Sequence, residues 1–116
     1  MYYYTMIADW KNQKTKDLFL AFLQPKTVKE MAAFCRDLMT EAEIKELAGR
    51  WQVAWELDGG YSQRQVASKT GVSIATVTRV NQWLKRGMGG YRIVLDRFSV
   101  AVNSTHMHSQ SGNAVW

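Results

Sequence analysis

Apolar residues recur at spacings of three and four over most of the chain, a period that predicts helices separated by short polar breaks. The stretch 61–87, YSQRQVASKTGVSIATVTRVNQWLKRG, predicts two of them. Ser62 is placed to cap the first, with Val66 and Ala67 facing inward and Gln63, Arg64 and Lys69 outward. Gly71 follows Thr70 where the chain must turn, and there a residue free to take positive φ avoids a steric cost. Ser73 caps the second helix, Ile74 to Arg86, with Val77, Val80 and Leu84 at helical spacing for burial and Gly87 as its stop. The outer face of that helix, Ile74, Ala75, Thr76, Thr78 and Arg79, holds small groups and a guanidinium fork. Such side chains let a helix enter a major groove, where methyl groups meet thymine and hydroxyls or a guanidinium meet base edges. An ordinary helical hairpin with a polar exterior is the plainer alternative.

Upstream, residues 1–14 show three tyrosines and no sustained period, and are expected to form a flexible arm. Thr15 is placed to cap a helix to about Leu23, whose segment Leu18 to Leu23 is apolar on every side and therefore needs cover all round. A second subunit is the expected source of that cover. Pro25 ends this helix, and Thr27 with Glu30 has the spacing of a capping box ahead of the stripe Val28, Met31, Ala32, Cys35, Leu38 and Met39. Thr40 with Glu43 repeats the signature and opens the longest helix, to about Asp58, broken by Gly59-Gly60. After Gly87, Ile93-Val94-Leu95 is read as a last helix, ending the folded domain (15–97) at Arg97. Residues 98–116 carry no charged side chain and are expected to be a disordered tail. The fold class is all-α, with about six helices and a helix-turn-helix at 62–86.

Charge sharpens this picture. The chain's 116 residues carry a net +5, but residues 1–58 hold 8 Lys/Arg against 9 Asp/Glu, whereas 59–97 hold 7 against 1. The excess sits in and just after the predicted hairpin, where double-stranded DNA is the natural partner because neutralised phosphates release counterions. A membrane is not expected as a partner: the longest apolar run is six residues, far below the ~20 that span a bilayer, and the start lacks an export signal. The lone Cys35 is read as a buried small hydrophobe, which fits a reducing cytoplasm. His106 and His108 lie in the polar tail without Cys or carboxylate company, so neither a metal site nor a catalytic pair is expected, and no cofactor.

Beyond this reading, SQRQ, TGVSIATVTRVN and GYRIVLDR, with the upstream LFLAFLQPKTVKEMAAFCRDLMT, resemble the Trp repressor superfamily, in particular its YerC/YecD-type branch, over about residues 16–97. The resemblance implies an intertwined homodimer presenting two hairpins to successive major grooves of a two-fold symmetric operator. By matching positions, Gln63 and Arg64 approach the phosphate backbone, Ile74, Ala75, Thr76 and Thr78 meet bases, and Lys85 lies near phosphate. Ser73 and Arg79 complete the expected DNA-contacting set. Thr40, Arg50 and Arg79 match positions that line the family's tryptophan pocket. Here the pattern departs: Val80 replaces a glycine that makes room for the indole, and Trp83 replaces a small serine. Overpacking of this kind costs ~1–3 kcal/mol, which argues against tryptophan as corepressor. Arg50 and Arg79 are expected instead to pair with Glu56 or a helix terminus.

Three functions follow: a dimeric, sequence-specific DNA-binding regulator, most simply a repressor; the same regulator gated by an amino-acid-like effector at Arg50 and Arg79; and a dimeric protein-interaction module. Enzymatic activity is not expected.

Overall fold

A computed structural model of the chain describes residues 9–105, with side chains to residue 101. Six helices and no strand occur among the described residues: α1 (Gln13–Phe22), α2 (Val28–Leu38), α3 (Glu41–Asp58), α4 (Gln63–Thr70), α5 (Ile74–Arg86) and α6 (Gly90–Thr105). They fall into two compact units that divide between Met39 and Thr40.

In the first unit, α1 is capped three residues before the expected Thr15. Asn12 is the N-cap: its side-chain oxygen accepts from the Thr15 backbone N–H at 3.0 Å, and the Thr15 hydroxyl donates to the same oxygen at 3.2 Å. Asparagine is preferred over threonine at the N-cap, and Asn12 takes that place. At α2, Thr27 accepts from Glu30 N at 3.1 Å, and the Glu30 carboxylate accepts from the Lys26 N–H at 2.8 Å. Phe22 and Phe34 pack edge to face with centroids 5.4 Å apart, joining the two helices. No residue of either helix is fully buried: Leu18 and Phe22 are half-covered, Phe19 and Leu20 are exposed, and Leu23 is 75% exposed. Cys35, expected inside, is likewise only partly covered.

The second unit contains the core. Val53 and Ala54 of α3 are fully buried against Val66 of α4 and Val77 and Val80 of α5, with Leu57, Ala67, Val72 and Tyr91 packed around them. Leu84, expected to share this burial, is only half-covered. Thr40 and Glu43 close a complete capping box at the start of α3. Both groups satisfy otherwise unpaired N–H donors of the first turn, and the backbone N–H of Thr40 draws the Glu43 pKa below its usual value.

The last helix runs past Arg97, where the sequence pattern loses its charge. Tyr91 stacks on Trp51 at 6.4 Å, and Phe98 sets its edge against both Trp51 and Trp55 at 5.2 Å, so aromatic packing carries α6 beyond that point. Arg92 grips both oxygens of Asp58, at 2.8 and 3.1 Å, fastening α6 to the end of α3. Of the expected arm (1–14), Gln13 and Lys14 belong to α1 and residues 1–8 lie outside the described residues, as does the remaining tail (106–116, including His106 and His108).

Candidate nucleic-acid interface

The hairpin α4–α5 is fixed at both ends and at its turn. Ser62 Oγ accepts from Gln65 N at 3.1 Å while Gln65 Oε1 accepts from Ser62 N at 2.8 Å, a full capping box. Gly71 ends α4 in the left-handed region at φ 76°, its N–H donating to the Ala67 carbonyl at 3.0 Å. The Thr70 hydroxyl donates to Val66 O at 2.7 Å and accepts from Val72 N at 3.2 Å, which stitches the turn. Ser73 then caps α5 by accepting from Thr76 N at 3.2 Å, and its hydroxyl lies 3.1 Å from that of Thr76. At the far end the Gly87 N–H bonds the Trp83 carbonyl at 2.8 Å. With Val66, Val77 and Val80 all fully buried, the two helices have one side committed to the core.

The opposite side is open. Ile74 is 53% exposed, and Ser73, Ala75 and Arg79 are exposed with it, so the first turns of α5 present hydroxyl, methyl and guanidinium groups to solvent. Arg64 at the start of α4 and Lys85 and Arg86 at the end of α5 are exposed as well. None of Arg64, Arg79, Lys85 and Arg86 makes a hydrogen bond or ion pair among the described residues. Lys69 differs: its ammonium donates to Glu56 at 3.1 Å and lies 3.7 Å from the Tyr61 ring centroid, and the Glu56 bond raises its pKa. It serves to join α4 to α3, and its charge is largely neutralised. Gln63 and Thr78 are half-buried and bonded to one another, Thr78 Oγ1 donating to Gln63 Oε1 at 2.8 Å. That pair, like the Thr70 stitch and the free Arg86, carries no periodic signal; only the crossing of α4 over α5 brings residues 63 and 78 together.

Of the residues matched to an effector pocket, Thr40 has its hydroxyl in the capping box of α3. Arg50 bonds Glu46 at 2.8 Å and stands 5.7 Å from the Trp83 ring centroid. The expected partner Glu56 is held by Lys69 instead; Glu46 wins because it lies one helical turn before Arg50. Val80 is fully buried and Trp83 is 41% exposed, its ring occupied by the Arg50 cation–π contact.

A sequence model of the family described as Trp repressor protein matches residues 13–99. The chain belongs to the Trp repressor family. Within that family it is similar to the uncharacterized protein YerC of Bacillus subtilis, with 35% identity over 101 residues that cover 87% of this chain and 93% of the relative. Among solved structures it is similar to a TrpR-like protein from Eubacterium eligens, at 37% identity and a TM-score of 0.75, covering 79% of this chain and 95% of that one. A candidate Trp repressor from Staphylococcus aureus gives the same TM-score at 33% identity, covering 80% of this chain and 93% of that one. The all-helical architecture is thus that of the Trp repressor family, a family of regulators. Among the described residues no helix is long and apolar enough to cross a membrane, and no group of three or more His, Cys, Asp or Glu is placed to hold a metal.

Proposed function

We propose that this protein is a sequence-specific transcriptional regulator that acts as a homodimer and represses by occupying a two-fold symmetric DNA site. The observation that carries the reading is the division of α5 between two faces. Val77 and Val80 are fully buried, while Ser73, Ile74, Ala75 and Arg79 stand open at its N-terminal half. A helix anchored on one side and carrying small groups and an unpaired guanidinium on the other suits insertion into a major groove. Arg64, Lys85 and Arg86 supply positive charge at the two ends of the hairpin, where phosphates would lie.

The roles differ and so do the effects of removing them. Arg79→Ala is expected to cost about 1–3 kcal/mol against the preferred site and little against other DNA, because a guanidinium reading a base edge carries sequence information. Lys85→Ala is expected to weaken binding to all DNA about equally and to shallow the dependence of log K on log salt by about one unit. Fluorescence anisotropy with labelled duplexes measures both. If neither variant binds differently from the wild type, the hairpin is not the reading element.

Tryptophan is not the effector in this reading. At the positions matched to the indole site stand the bulkier Val80, fully buried, and Trp83, and Arg50 is already paired with Glu46 and Trp83. Isothermal titration with tryptophan is expected to give no heat and no change in affinity for DNA; a tight, operator-coupled signal would reverse this.

A further inference from the structure

The bond between Thr78 and Gln63 joins two side chains that both belong to the DNA-facing hairpin, and it determines which end of Gln63 is available. We propose that Thr78 is a positioning residue: its hydroxyl pins the carboxamide oxygen of Gln63, so that the Gln63 amide nitrogen is presented as a donor to a phosphate of bound DNA. This inference rests on the DNA-binding reading above and assigns a division of labour within it.

A threonine within a helix ordinarily turns its hydroxyl back to the carbonyl one turn earlier. Thr78 instead donates across the hairpin to Gln63 Oε1 at 2.8 Å, from a half-buried position. A carboxamide has one acceptor end and one donor end with two protons, and a free glutamine offers either. With Oε1 occupied, the Nε2 end remains, and Nε2 makes no hydrogen bond among the described residues. A phosphate oxygen only accepts, so this is the end complementary to a DNA backbone, and the reversed orientation would set oxygen against oxygen. Gln63 is also the first residue of α4, inside the Ser62–Gln65 capping box, so its backbone is held where its side chain is held. Bonded and half-buried, Thr78 acts through Gln63 and does not itself read a base.

The test is a double-mutant cycle in the full-length chain, with binding measured against a DNA site that the wild type selects from a random pool. Thr78→Val, which keeps the shape and removes the hydroxyl, is expected to weaken binding by about fivefold, the scale of one uncharged hydrogen bond. The loss is expected to be uniform across site variants, because a phosphate carries no sequence. Thr78→Ser is expected to restore binding to within about twofold of wild type. In a Gln63→Ala background, Thr78→Val is expected to cost nothing further. An undiminished loss in that background, a changed base preference at one position, or no loss in the single variant would each overturn the proposal while leaving the DNA-binding reading intact. If the wild type enriches no DNA, the reading itself fails and the proposal falls with it.

Discussion

Gly71 and Gly49 show how differently two glycines of one hairpin environment are used. Gly71 sits at φ 76° with open space where a Cβ would be, so its requirement is for backbone conformation alone. Gly71→Ala is expected to destabilise by about 1 kcal/mol, the cost of placing an L-residue in the left-handed region. Gly49 lies inside α3, where a Cβ would rest 3.5 Å from Val72 Cγ2, an ordinary contact. Gly49→Ala is therefore expected to be neutral or to stabilise by up to about 1 kcal/mol through helix propensity. Urea denaturation of the two variants checks both signs; equal destabilisation would contradict the account. Gly71 was legible in the sequence because it falls between two capped, periodic segments, as were Ser62 and Ser73. The pairing of Arg50 with Glu46 follows from i,i+4 spacing within α3, whereas the capture of Glu56 by Lys69 of α4 follows from no local spacing.

Among the elements, α6 shows most clearly where pattern reading stops. Its charge ends at Arg97, yet it continues to Thr105 because Phe98 finds Trp51 and Trp55 across the bundle, a contact that no local period announces. The Asp58–Arg92 bridge that ties α6 to α3 is equally non-local. It also makes a pH prediction. The hydrogen bond from Arg92 holds the Asp58 pKa below its usual 3.8, outweighing the opposing effect of partial burial. The stabilisation is therefore fully present above that value and is lost as pH falls through the lower, folded-state pKa. Asp58→Asn is expected to lower stability at neutral pH and to flatten its decline below about pH 4, as read from urea midpoints between neutral pH and about pH 3. A variant whose acid limb runs parallel to that of the wild type would show that Asp58 does not contribute. Asp58 is partly open to solvent, so the effect is expected to be modest and to shrink with added salt.

At the scale of the molecule, two distributions set its behaviour. Positive charge is concentrated after residue 58, and large apolar side chains remain uncovered at the end of α1, where Phe19, Leu20 and the C-cap Leu23 are all exposed. An exposed apolar set of this kind calls for a partner surface, and a second copy of the chain is the partner we propose. Leu20→Lys is expected to raise the dimer dissociation constant at least about tenfold, since burying one leucine contributes about 1.5–3 kcal/mol. Sedimentation equilibrium distinguishes this from a chain that is monomeric from the outset. The most direct measurement of the central claim is selection of bound sequences from a random duplex pool by the wild-type protein. The account predicts a palindromic motif whose half-sites lie about one helical turn apart, as two copies of α5 reading successive major grooves require. Failure to enrich any sequence over the starting pool would contradict it.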